Sequence, residues 1–189
     1  MSFQDGTRST SLHPSSPSFY SDQLLRDLKE LEHWEEVENG GDGWKVEELP
    51  GDCGAAFPSD GISKYFASSF EQCSKTQVID LLKHGYSNEF LDSQPNIMIS
   101  DWYAKRNDSG SSYELQVQLL SESRNVISEF SIKHTAIPES DFSFNQVSHT
   151  FIKYGPGVRF IKFTNGGKSL KNWKGWYGVR VTGSSVTIN

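Results

Sequence analysis

Apolar and polar residues alternate strictly through Tyr113-Glu114-Leu115-Gln116-Val117-Gln118-Leu119. A period of two belongs to an extended strand with one buried and one wet face. Further strand-like segments are read at 44–49, 65–72, 76–82, 96–103, 125–132, 146–153, 158–164 and 176–188, separated by Gly, Pro, Asn, Asp and Ser turns such as Tyr154-Gly155-Pro156-Gly157. Many short strands without long intervening helices make an all-β chain, and an antiparallel β-sandwich is the expected fold. Helical signals are brief. Asn88 to Leu91 reads as one turn inside the loop before Pro95, and Ser21 is expected to cap a short helix in which Leu24, Leu25, Leu28 and Leu31 recur at helical spacing as an apolar stripe. Residues 1–20, rich in Ser, Thr, Pro and Gly, are expected to be a disordered tail, leaving 21–189 as one domain of a 189-residue chain.

Charge and motif content remove several function classes. A net charge of −6 without a basic cluster argues against a nucleic-acid partner. No apolar run approaches the roughly 20 residues of a membrane helix, and the N-terminus lacks the apolar middle of a secretory signal, so a cytoplasmic protein without a transmembrane segment is expected. Cys53 and Cys73 are too few and too far apart for a zinc site and are expected to be reduced thiols. Asn107-Asp108-Ser109 is a glycosylation sequon, used only if the chain enters the secretory pathway.

The five histidines show no metal-ligand spacing, and His149 in Ser148-His149-Thr150-Phe151 is the most strand-like of them. There is no Gly-x-Ser-x-Gly elbow and neither Walker nor dinucleotide glycine spacing. Glu32, Glu35, Glu36 and Glu38 read as a solvated face, and Gly40-Gly41-Asp42-Gly43 as a hairpin or corner turn. The chain is therefore not read as an enzyme, and no cofactor or metal is implied.

Two stretches pair tryptophans with glycine-rich turns: Glu38 to Asp52, containing Trp44, and Asn172-Trp173-Lys174-Gly175-Trp176-Tyr177-Gly178-Val179-Arg180. Trp173 falls on a loop just before a strand that alternates Tyr177, Val179 and Val181 with Trp176, Gly178 and Arg180. An aromatic on a rigid loop can cover the apolar C–H face of a sugar while polar neighbours take the hydroxyls. Taken alone, the same residue reads first as a buried tryptophan at a sandwich corner.

The ordered series Glu38 to Asp52, Lys64-Tyr65-Phe66, Ser69-Phe70-Glu71, Gln77 to Leu81, Asp101-Trp102-Tyr103, Tyr113-Glu114-Leu115 and Leu119 to Glu122 continues through Ser148 to Phe151, Tyr154 to Phe160, Trp173-Lys174-Gly175-Trp176 and Val181 to Val186. Over residues 22 to 188 it resembles the F-box-associated domain of the glycoprotein-recognising F-box-only proteins. That resemblance implies a jelly-roll-like sandwich of about ten strands that binds the chitobiose and mannose core of high-mannose N-glycans in the cytosol. Those proteins join the domain to an F-box. The few, mostly polar residues ahead of the Ser21 helix are too short for such a helical module, so direct binding to the ubiquitin-ligase adaptor is not expected, and the chain resembles the F-box-less branch called nonspecific cytotoxic cell receptor protein.

In glycan-binding members of the family the pocket is made by the phenylalanine of a Ser-Phe-Glu motif, an aspartate in the loop after Asp-Trp-Tyr, and a Tyr-Trp-Lys triplet before the last strand. The matching residues are Phe70, Asp108, Asn172, Trp173 and Lys174, with Asn172 where the tyrosine would stand. Phe70 would lie against an N-acetyl methyl and Asp108 would accept from sugar hydroxyls or amides; Trp173 would stack and Lys174 would donate. Read without the resemblance, Phe70 is a core residue and Asp108 a turn residue. Two functions stay open: a lectin for N-glycans and glycoproteins, and a non-lectin, receptor-like protein-interaction module that kept the sandwich and lost the sugar.

Overall fold

Ten strands carry almost all the regular structure in the computed structural model, which describes residues 33–58, 61–137 and 143–189. They are β1 (Glu35–Asn39), β2 (Lys45–Glu48), β3 (Lys64–Ala67), β4 (Cys73–Asp80), β5 (Ile97–Ala104), β6 (Tyr113–Ser121), β7 (Val126–His134), β8 (Asn145–Phe151), β9 (Val158–Gly167) and β10 (Arg180–Ile188). The first sheet has the order β1-β4-β9-β6-β7 and the second β2-β3-β10-β5-β8. Every pairing between strands is antiparallel. Among the described residues one α-helix, α1 (Asn88–Asp92), fills the loop before Pro95, its first turn capped by Ser87 Oγ accepting from the Phe90 N–H. The tail 1–20, Glu32 and the leucine stripe of residues 24–31 lie outside the described residues.

The period-two pattern does what it dictates. Tyr113, Leu115, Val117 and Leu119 of β6 point into the space between the sheets, in one cluster with Ile97 and Ile99 of β5, Ile161 and Phe163 of β9, and Val181 and Val186 of β10. Burial of each such aliphatic side chain is worth about 1.5–3 kcal/mol. The core also holds two titratable side chains. Asp101 is fully buried and accepts from the Tyr113 hydroxyl (2.7 Å), the Asn165 amide (2.9 Å) and the Ser184 hydroxyl (2.6 Å). Lys75, also buried, stands with its ammonium 3.4 Å from the centroid of the Trp34 ring and 4.6 Å from that of Phe66.

A second apolar cluster covers part of the outer face of the second sheet. Cys53, Ala55, Tyr65, Ala67, Ala104 and Phe144 pack there with Leu49, Phe57, Trp102 and Trp176. Residues of both faces of β3 and β10 are therefore buried, Arg180 among them.

Several strand boundaries differ from expectation. The segment 65–72 is strand only to Ala67, because Ser68 to Gln72 turn the chain from the second sheet to the first. The segment 176–188 is strand only from Arg180, because Gly175 at φ +106 and the packing of Gly178 against Ser68 keep residues 176–179 as loop. Strand β1 carries no apolar alternation, being an edge strand whose five residues are all exposed, with Glu35, Glu36 and Glu38 facing solvent.

Register places the candidate site. Asn39 lies opposite Cys73, Cys73 opposite Gly167, and Glu114 opposite Gly166 in the first sheet. In the second, Lys45 lies opposite Ala67, and Ala67 and Ala104 both oppose Arg180. The connections 40–44, 68–72, 105–112 and 168–179 consequently meet at one end of the sandwich.

Candidate functional site

The two tryptophan-bearing stretches meet through hydrogen bonds. Gly40 to Gly43 form a corner that carries the chain from one sheet to the other, since β1 and β2 belong to different sheets; the hairpin alternative does not occur. Gly41 adopts φ +61 there, and a Cβ on it would press on the Phe70 ring at 2.9 Å. The Asp42 N–H donates to Ser69 Oγ (2.9 Å), and the Ser69 hydroxyl donates to the Gly175 carbonyl (3.1 Å). The Gly175 N–H in turn donates to the Asp42 carboxylate at 2.7 Å. Both polar groups of the Gly175 residue are thus tied to the corner and to the 68–72 loop.

The same loop is anchored from below. Arg180, fully buried, donates to the Gly178 carbonyl (2.7 Å) and the Trp176 carbonyl (2.8 Å), with Glu47 at 3.8 Å. Burial pushes the Glu47 carboxyl up, but the Tyr65 hydroxyl and Lys45 bonded to it and the Arg180 charge outweigh that push and leave it below the usual range. Gly178 lies against the Ser68 backbone, where any side chain would collide. A rigid base therefore carries the exposed residues 172–174.

Of the five tryptophans only Trp173 is more than half exposed, at 52%. The buried-corner reading of this residue does not hold. Its ring meets Tyr177 edge-to-face at 5.6 Å, and the Lys171 ammonium stands 4.1 Å from its centroid. The Arg106 guanidinium lies 4.3 Å from the Tyr177 ring centroid and pairs with the Asp108 carboxylate at 2.7 Å. Lys171 closes the circuit by donating to the Asp108 carbonyl at 2.6 Å. Asp108, Arg106, Tyr177, Trp173 and Lys171 form a ring of contacts with an aromatic plate and a half-exposed carboxylate at its rim.

The F-box associated region, as a family profile, matches residues 21–188. The chain belongs to the F-box-associated family. It is 54% identical over 164 residues to F-box only protein 2 of Bos taurus, covering 85% of this chain and 55% of that protein. With F-box only protein 44 of Homo sapiens it shares 47% identity over 160 residues, covering 84% of this chain and 63% of the relative. The chain thus spans a little over half the length of these curated relatives. Among solved structures, TmCBM61 in complex with β-1,4-galactotriose superposes with a TM-score of 0.54 at 12% identity, over 91% of this chain and all of that one. A Stig cyclase, Fisc from Fischerella sp. TAU, superposes at 0.50 with 12% identity, over 93% and 91% of the two chains. A fold that hosts both is a shared sandwich and does not itself fix chemistry.

Within this F-box-associated domain, the five residues singled out from sequence all lie at the loop end, but they are not equally joined. Asp108 and Trp173 belong to the ring of contacts described above. Phe70, half-buried, lies across the Gly41 corner, and its neighbours Ser69 and Asp42 hydrogen-bond to Gly175 of the 173–177 loop. Asn172 and Lys174 are exposed beside Trp173. Arg106, Lys171 and Tyr177 were not picked out by the sequence reading. They lie two, one and three positions from the nearest residue that was, and in irregular loops such spacing carries no fixed direction. Among the described residues no cluster of three or more His, Cys, Asp or Glu side chains is placed to hold a metal, and no helix is long and apolar enough to cross a membrane.

Proposed function

We propose that this chain is a cytosolic, non-catalytic lectin that recognises the chitobiose and mannose core of high-mannose N-glycans on glycoproteins. The observation that carries the reading is Trp173, the one half-exposed tryptophan, held on a braced loop beside the Asp108 carboxylate in a chain of the F-box-associated family. Trp173 serves as the plate for a sugar C–H face, Asp108 as acceptor through the carboxylate oxygen that Arg106 leaves, and Lys174 as donor to hydroxyls. Phe70 receives an N-acetyl methyl. The loops are preorganised, which lowers the ordering cost of binding a flexible oligosaccharide.

A second reading, a protein-interaction module without sugar binding, is favoured by one feature. Asn172 places a polar amide where an aromatic ring and hydroxyl would complete the plate. A glycan array separates the two: the lectin reading expects high-mannose and chitobiose-core glycans above background, with more signal on denatured than on native glycoproteins. An array without high-mannose signal ends it.

A further inference from the structure

Asp108 and Trp173 sit on loops 65 positions apart in the chain, and Lys171 touches both. Its ammonium donates to the Asp108 carbonyl at 2.6 Å and stands 4.1 Å from the Trp173 ring centroid. Its backbone is equally fixed. The Lys171 N–H donates to Ser169 Oγ at 3.0 Å, and that hydroxyl shares a buried 3.0 Å hydrogen bond with Ser109 Oγ, one residue after Asp108. The Leu170 N–H donates to the Gly110 carbonyl at 2.9 Å, so the two loops are zipped along their length.

A lysine stem left in water samples many rotamers, and it stays in one only when its end is engaged. Here the end is engaged twice, by a carbonyl dipole and by the negative face of an indole. The indole then has one face under a cation and an edge-to-face contact with Tyr177 at 86°, which together fix its plane. Trp173 nonetheless keeps 52% of its surface exposed, which leaves room for a ligand.

We propose that Lys171 is a positioning residue of the glycan site that selects the face of Trp173: it closes one face with its ammonium, so that sugar stacks only on the other, and it couples the plate to the loop carrying Asp108. This inference rests on the lectin reading for its ligand, but the placement of Trp173 by Lys171 is measurable without one.

The test uses the full 189-residue chain, with Lys171→Met, which keeps the stem and removes the charge, and Lys171→Arg, which keeps a cation able to lie on a ring. Acrylamide quenching of tryptophan fluorescence, each protein measured against its own Trp173→Phe counterpart, isolates the Trp173 signal. Lys171→Met is expected to raise the quenching of Trp173 with an unchanged melting curve, and to weaken binding of a chitobiose-containing oligosaccharide about twofold to tenfold. Lys171→Arg is expected to restore both. Unchanged Trp173 quenching in Lys171→Met overturns the inference, as does unchanged affinity in a protein whose parent binds. If the parent binds no chitobiose ligand, the lectin reading falls, and quenching alone decides whether Lys171 holds the ring.

Discussion

Removing the Asp42 carboxylate tests whether the glycine-rich corner shapes the distant tryptophan loop. Asp42 accepts from the Gly175 N–H at 2.7 Å across 133 residues of chain. Gly175 is the turning point of that loop at φ +106, two residues beyond Trp173. A hydrogen bond to a charged group is worth about 1.5–3 kcal/mol when sheltered, and this one is exposed, so Asp42→Ala should cost only about 0.5–1.5 kcal/mol of stability. In a domain of this size that lowers the melting temperature by about 1–6 °C. Affinity should suffer more than stability suggests, because a loop that is no longer held in shape must be ordered by the ligand. Fixing two or three residues partly released toward solvent corresponds to roughly a threefold to thirtyfold weaker dissociation constant. Asp42→Asn keeps a neutral acceptor and should fall between the two. Calorimetry with a chitobiose-containing oligosaccharide and a thermal melt on the same samples give both numbers. An Asp42→Ala protein that binds as tightly as its parent would refute the claim that the corner preorganises the plate.

Two further outcomes are expected. Asn172→Tyr should add a ring and a hydroxyl beside Trp173 and tighten chitobiose binding by about 1–2 kcal/mol, or roughly fivefold to thirtyfold, by calorimetry; no gain would mean that Asn172 does not border the ligand. Burial pushes the Lys75 ammonium down to about 7, with Asp101 pulling the other way. The unfolded chain keeps its lysine proton up to the usual range, so between about pH 7 and pH 10 it binds a proton the folded chain lacks, and stability rises with pH. Denaturant unfolding at pH 7 and pH 9.5 should show a gain of ~1–3 kcal/mol relative to the change in Lys75→Met, and equal pH dependence in the two proteins would contradict it.

Much of the sandwich was legible because it depends on a period of two. Strands β5 to β9 fall within two or three residues of the segments read from sequence, and β6 presents its apolar set inward as the alternation required. Where a strand does not sit between one core and water, the pattern fails. Strand β1 is all exposed and carries no signal, while β4 starts earlier than 76 because its inward residue Lys75 reads as surface. Arg180 looks like a solvent residue and is a buried anchor, because a second apolar cluster covers the outer face of β10.

The site divides in the same way. Trp173 and Asp108 were singled out through the family resemblance, and the structure brings them into one ring of contacts. Lys171, Arg106 and Tyr177 belong to contacts between loops far apart in sequence, which no local periodicity encodes. The hydrogen bonds that lock Gly175 to Asp42 and Ser69 are long-range for the same reason.

The central claim, that an exposed tryptophan on a braced loop holds a sugar, is tested most directly by calorimetric titration of the parent chain and Trp173→Ala with a chitobiose-containing high-mannose oligosaccharide. Trp173 contributes little to the core, so the variant should melt within a few degrees of its parent while binding is lost or weakened by about tenfold or more. Equal binding by parent and variant, or no binding by the parent, would contradict the account.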